Sequence, residues 1–160
     1  VLKRALKTIK EDYDYIFLDN APASNILTVN SIFASDYIIT PVKVEQYSLK
    51  GLRETLSSIV YIKEEHDLEQ IEFLGAFITQ ASINTNAFKD GRELFKDNLQ
   101  NKLFKTPVRQ DTKINEVNQT LRSLFASGTS NAIIDYANLL LEMKILTPAG
   151  EEKLIQCLSE

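Results

Sequence analysis

The chain has 160 residues, 44% of them hydrophobic and 25% charged, with a formal net charge of −4; this ordinary globular balance excludes disordered and collagen-like classes. The acidic balance excludes a protein basic over its whole surface but leaves room for a local basic patch, and a single cysteine, Cys157, excludes an internal disulfide framework and a multi-cysteine metal site. No window approaches 18 uninterrupted apolar residues, so no membrane span is expected and a cytoplasmic protein of one domain is the simplest reading.

In chain order, Leu2, Leu6 and Ile9 stand at helical spacing and predict an amphipathic helix over 1–11. A strand is expected at 13–18, where five of six residues are apolar or aromatic, the pattern of a strand covered on both faces. Ser24 offers an N-cap for a short helix that ends around Ser35-Asp36. Residues 37–42 predict a second strand, with Pro41 where it runs out. A helix follows over 48–66, then a third strand over 71–79 and a helix over 84–100 capped by Asn84 or Thr85. A short strand at 103–108 precedes helices at 113–125 and 130–144, which Gly128 separates, and Thr147-Pro148 opens a last helix to about Leu158. Strands alternating with helices predict an α/β fold, a mostly parallel sheet with flanking helices. Ligands in such sheets bind beyond the carboxyl ends of the strands, which directs attention to 19–24, 41–48, 79–86 and 107–115.

Asp19 ends the first apolar run. From that position an acidic residue of a nucleoside triphosphatase reaches a magnesium ion, often through water, although a strand-ending Asp also commonly caps the next helix. His66, the sole histidine, has no second ligand spaced for a metal, and Ser24 has neither a histidine base nor a Gly-x-Ser-x-Gly elbow around it.

The run Tyr-Asp-Tyr-Ile-Phe-Leu-Asp-Asn-Ala-Pro-Ala-Ser at 13–24, then Ala34-Ser35-Asp36, Ile39-Thr40-Pro41-Val42, Glu45 and Ser48-Leu49-Lys50-Gly51-Leu52, resembles the MinD-related ParA/Soj family of deviant Walker-A partition ATPases. Thr79 with Thr85-Asn86 matches that family's loop after the third strand, and the likeness covers nearly all of 5–145. The resemblance implies a P-loop NTPase, Rossmann-like architecture. Asp19 becomes the Walker B carboxylate that orients the magnesium water shell, and Asn20 and Pro22 become part of the switch that responds to the γ-phosphate. Glu45 and Gly51 would lie near the nucleotide and the dimer face, and Thr79, Gln80 and Pro107 near the nucleotide base. The stretch 105–117 resembles the family segment associated with non-specific DNA binding, where Lys113 matches the second arginine and Glu116 the glutamate, with Arg109 displaced by a residue from the first arginine. Lys102, Lys105, Arg109, Lys113 and Arg122 together supply positive charge for phosphate contacts whose affinity should fall as salt rises. The implied cofactors are ATP and Mg2+, and the implied partners are a second copy in a dimer, non-specific DNA and a centromere-binding ParB-like protein, on a nucleoid-associated protein.

One departure from the family matters most. Its Gly-rich loop with two lysines, which cradles the phosphates, does not occur; the five glycines are isolated, and no Gly-Lys-Thr or Gly-Lys-Ser is present. The family places that loop before the stretch where this chain begins. The expectation is therefore the C-terminal part of a ParA-type ATPase domain over 1–146 with a helical extension at 147–160, incomplete at its N-terminus, unable alone to hydrolyse ATP and prone to self-association through an unpaired sheet edge. The alternative is a non-catalytic interaction module, a truncated or degenerate relative acting through dimer or DNA contacts. A membrane-binding relative is disfavoured by the terminal helix, where Glu151, Glu152 and Glu160 outnumber Lys153.

Overall fold

Two strands rich in β-branched and aromatic residues, β1 (Tyr37–Val42) and β2 (Glu72–Ile78), carry the fold. The computed structural model describes residues 1–21, 25–45 and 47–159. β1 and β2 pair side by side: the Glu72 N–H donates to the Asp36 carbonyl at 3.0 Å and the Thr79 N–H to the Val42 carbonyl at 2.8 Å. The pairing is parallel, joined by a crossover through helix α3 (Ser48–Glu65). Pro41 is the penultimate residue of β1, where the strand runs out as expected. Backbone groups of successive strand residues face alternate edges, so with Asp36 and Val42 bonded to β2 the Pro41 nitrogen faces the other edge, where its missing N–H breaks no bond to β2.

The segment 103–110, expected as a strand at 103–108, runs parallel along the second edge of β2. The N–H groups of Phe104, Val108 and Gln110 donate to the carbonyls of Ala76 (2.9 Å), Ile78 (2.8 Å) and Ala81 (3.2 Å), and the Ala81 N–H returns a bond to Val108 at 2.9 Å. It forms isolated bridges, Ala76 with Leu103 and Ala81 with Arg109, rather than a continuous ladder. The cause is local: the N–H groups of Lys105 and Thr106 are taken by the two carboxylate oxygens of Glu142, at 2.7 and 3.0 Å.

The expected strand at 13–18 is not formed. The segment is extended but belongs to no ladder among the described residues, and Tyr13 and Phe17 are 62% and 77% exposed. Its apolar pattern suits burial on two faces, which requires strands on both sides, and β2 and its two neighbours bond to one another instead. The expected helix at 1–11 is likewise shorter, α1 (Leu2–Leu6) followed by a 3-10 turn at Lys10–Asp12.

The chain forms two compact units, Val1–Ile39 with Leu49–Leu74, and Thr40–Ser48 with Gly75–Glu160. In the first, α2 (Ile26–Ala34) and α3 bury Ile32 and Ile59 with Leu68 and Ile71, flanked by Phe33, Ile38, Leu56 and Ile62. Asp67 takes a left-handed conformation (φ 52°) after α3, which folds Leu68 back so that its N–H donates to the Lys63 carbonyl at 2.9 Å. The helix cap of α2 is Asn25, whose side chain accepts from Leu27 and Thr28; the expected cap, Ser24, lies outside the described residues.

In the second unit, α4 (Asn86–Leu99) buries Phe88, Phe95 and Leu99, and α6 (Asn131–Met143) buries Ala132, Ile133, Ala137 and Leu139. α5 (Thr112–Thr120) stops five residues short of the expected end because Leu121 adopts a left-handed cap (φ 53°). α7 (Pro148–Ser159) starts as expected, with the Gly150 N–H donating to Thr147 Oγ1 at 3.2 Å. No described helix is long and apolar enough to cross a membrane.

Gly75 in β2 has φ +153°, and a Cβ there would stand 2.5 Å from the Lys102 carbonyl oxygen and 3.1 Å from the Phe104 ring. The close approach of 102–104 to β2 thus depends on a bare Cα. Gly75→Ala is expected to destabilise the chain by about 3 kcal/mol, because backbone cannot move aside as a side chain can; an unchanged urea midpoint at equal m-value would contradict this.

Candidate functional site

Beyond the carboxyl ends of β2 and of segment 103–110, the chain turns outward into two loops. They border an open cleft of about 460 Å3, lined by Ala81, Ser82, Ile83, Asn84 and Thr85 from the first loop, Arg109, Gln110 and Thr112 from the second, and Asn131 from the start of α6. The size suits a small organic ligand. Ala81 and Ile83 give it apolar surface, and hydroxyls and carboxamides supply most of its polar groups. Thr85 caps α4, its Oγ1 accepting the Phe88 N–H at 3.1 Å. Gln80, just before the cleft, is held at φ 52°, a strained conformation for a residue with a side chain.

Two carboxylates fix the second loop. Asp135 is 7% exposed on the buried side of α6 and accepts three bonds from one residue: the Arg109 backbone N–H at 2.9 Å, Nε at 2.8 Å and Nη2 at 2.8 Å. The hydrogen bond that the guanidinium donates to Asp135 raises the Arg109 pKa above its ordinary value, opposed by burial and helped by the charges of Asp135 and Asp111. Asp111 joins two helix N-termini. Its Oδ1 accepts the Lys113 N–H of α5 at 2.9 Å and its Oδ2 the Ala132 N–H of α6 at 3.1 Å. Those backbone bonds, first Lys113 and then Ala132, hold its carboxyl below the usual carboxylate range.

The residues singled out in the sequence fall unevenly around this cleft. Arg109 lines it, whereas Thr79, Gln80 and Pro107 precede the lining residues by one or two positions. Lys113 pairs with Glu116 on α5 at 3.0 Å, and Arg122 is exposed in the turn after that helix. Asp19 and Asn20 are exposed in the first unit, where Asn20 Nδ2 donates to the Leu18 carbonyl at 2.9 Å. Pro22 lies outside the described residues. Glu45 is exposed before α3, and Gly51 is exposed in its first turn with nothing within 4 Å of where a Cβ would stand, so packing does not require a glycine there. Sequence reasoning missed Asp111, Asn131 and Asp135. A lone carboxylate in the apolar face Ala-Ile-Ile-Asp-Tyr-Ala of α6 was the available signal, since a buried charge requires a partner.

A second cleft of about 560 Å3 lies at the amino end of segment 103–110, lined in part by Arg92, Lys96, Phe104 and Glu142. Its charges serve the fold: Arg92 Nη2 donates to the Lys105 carbonyl at 2.9 Å, Lys96 pairs with Glu93 at 3.5 Å, and Glu142 holds the 105–106 backbone.

Asp111→Ala is expected to cost about 1–2 kcal/mol at neutral pH through loss of the helix caps. Because the folded-state pKa of Asp111 is lowered, its contribution is complete above the unfolded value of about 3.9 and is lost as pH falls through the folded value. The difference in melting temperature between wild type and variant should hold from pH 7 to about pH 5 and narrow below about pH 4; a difference that widens in acid would contradict the assignment.

A family model described as an AAA domain matches residues 1–72. The sporulation initiation inhibitor protein Soj of Bacillus subtilis is 32% identical over 115 residues, which are 72% of this chain and 45% of that protein. A ParA family protein of Chlamydia pneumoniae is 32% identical over 91% of this chain and 56% of its own length. The chromosome partitioning protein ParA of Myxococcus xanthus is 29% identical over 72% of this chain and 40% of its own length. The chain spans about half the length of the curated relatives it matches. With a parallel α/β sheet flanked by helices and relatives of this kind, the chain belongs to the ParA/Soj family.

Proposed function

We propose that the chain is the C-terminal part of a ParA-type ATPase that partitions plasmid or chromosomal DNA. The observation that carries the reading is the cleft at the carboxyl ends of β2 and segment 103–110, where open parallel sheets bind ligands. Its lining fits a nucleotide base: apolar surface for the ring, and carboxamides and hydroxyls for the ring edge, with no carboxylate among the lining side chains.

Magnesium takes few protein ligands, usually one or two carboxylates with waters and substrate phosphates. An exposed carboxylate such as Asp19 therefore fits that role through water without a cluster of acidic residues, and no group of three potential ligands occurs among the described residues. Bound Mg2+ and ATP would supply phosphoryl transfer to water. In this reading Asp19 orients the metal's water shell, and Asn20 and Pro22 form the adjoining switch. Thr79, Gln80 and Pro107 shape the backbone that leads into the base cleft. The bare first turn of α3 at Gly51, with Glu45 before it, meets a second copy in the dimer. Lys113 and Arg122 contact DNA phosphates without regard to sequence, and a ParB-like partner stimulates turnover.

The phosphate cradle is absent from the sequence, so the 160-residue chain alone should show no ATP turnover above background, whereas the full-length protein should hydrolyse ATP. Asp19→Asn in the full-length protein should lower kcat by on the order of a hundredfold. Turnover by the 160-residue chain, or an Asp19→Asn protein as active as wild type, would contradict the reading. For the DNA claim, Lys113→Ala should weaken binding about equally for unrelated sequences and reduce the salt slope by about one. Equal affinity and slope in a mobility-shift series would sink it.

A further inference from the structure

We infer that Arg109 is a stacking platform for the nucleotide base, held flat by Asp135, and not a contact to DNA phosphate. The inference rests on the nucleotide reading above and deepens it by naming the side chain that receives the face of the base.

Arg109 lines the cleft, and its guanidinium is bound along its edge, with Nε and Nη2 each donating to Asp135 at 2.8 Å. Guanidinium donors all lie in the plane of the group, so these bonds hold the plane without using either face. The same carboxylate binds the Arg109 backbone N–H at 2.9 Å, which ties the root of the side chain to the anchor that holds its tip. Asp111 restrains the next turn by joining Lys113 and Ala132. The guanidinium therefore does not have to be ordered when a ligand arrives.

Charge favours the same assignment. A planar, weakly hydrated cation paired with a carboxylate presents little net charge to a phosphate, but it keeps the surface on which aromatic rings stack. Releasing Arg109 to reach DNA would leave Asp135, 7% exposed, as a buried carboxylate without its cation. Lys113 and Arg122 carry no such constraint: among the described residues Lys113 pairs with Glu116, itself 61% exposed, and Arg122 lies at the surface. Ala81 and Ile83 complete an apolar setting in which a ring face is better accommodated than a phosphate.

The test uses the full-length protein and titration calorimetry with ATP and CTP, because a purine offers the larger stacking face. Arg109→Lys keeps the charge and loses the plane, and Asp135→Asn keeps the shape and loses the anchor's charge. Each variant should weaken ATP binding by about tenfold and CTP binding by less, so that the preference for ATP shrinks. Arg109→Lys alone decides the matter if Asp135→Asn fails to fold. An ATP-to-CTP preference in Arg109→Lys equal to that of wild type overturns the inference and leaves the ATPase reading standing. So does an Asp135→Asn protein that binds DNA more tightly with ATP affinity unchanged, since the freed guanidinium would then be a phosphate contact. A wild-type protein that binds neither nucleotide overturns the ATPase reading itself, and this inference with it.

Discussion

β2 is hydrogen-bonded along both edges, to β1 through the Thr79–Val42 bond at one end and to segment 103–110 through Ala76, Ile78 and Ala81. A buried backbone donor or acceptor left without a partner costs about 1–3 kcal/mol, so a strand whose Ala76 and Ile78 are fully buried has little freedom to change neighbours. Segment 103–110 is therefore held along β2 at both its ends, by the bond of Phe104 to Ala76 and by those of Val108 and Gln110 to Ile78 and Ala81, and its approach depends on Gly75 having no side chain. From those bonds follows the position of the two loops that border the cleft, because each begins where its strand or segment stops.

Side-chain carboxylates complete what the ladder leaves open. Glu142 takes the N–H groups of Lys105 and Thr106, and Asp111 takes those of Lys113 and Ala132. Asp135 takes the Arg109 N–H together with the guanidinium. In each case a charged acceptor replaces a backbone carbonyl, giving a stronger bond that also fixes direction. The loop at 109–113 is thus positioned by electrostatics between α5 and α6 rather than by packing, in keeping with a segment that must stay accessible to a ligand. The same bonds make the wall acid-sensitive, since protonating Asp111 weakens the acceptor that joins the two helices.

Periodic and capping signals transferred well to the structure: β1, β2, α3, α4 and α7 fall within a few residues of their expected bounds, and Thr85 and Thr147 act as caps. These features are local, decided within one turn of helix or by strand composition. The loops that border the cleft were also legible, because parallel topology leaves a crevice beyond the carboxyl ends of the strands. Asp135 and Asn131 were not, because their partner Arg109 stands 26 and 22 residues away and nothing in the intervening pattern encodes that pairing. The run 13–18 failed for the opposite reason. Its composition describes the environment it is suited to, whereas strand formation depends on neighbours that composition cannot supply.

That mismatch bears on the first unit as a whole. Tyr13, Phe17, Ile26 and Leu27 are each more than 60% exposed, although they belong to segments whose pattern otherwise suits burial. Scattered apolar residues on a surface need no explanation, but an extended apolar run such as 13–17 is one that globular proteins ordinarily cover. β1 adds an edge whose outward N–H groups at Tyr37 and Ile39 alternate with those bonded to β2, and Pro41 on that same edge contributes no donor. An edge of this kind accepts another strand only up to the proline. If the chain is the C-terminal part of a longer ATPase, one further parallel strand accounts for both features: it would pair with the edge of β1 that carries no strand among the described residues and offer 13–18 the neighbour that its composition requires. Asp19 would then stand at the end of a true strand, held by a ladder, as a carboxylate that orients a metal's water shell must be.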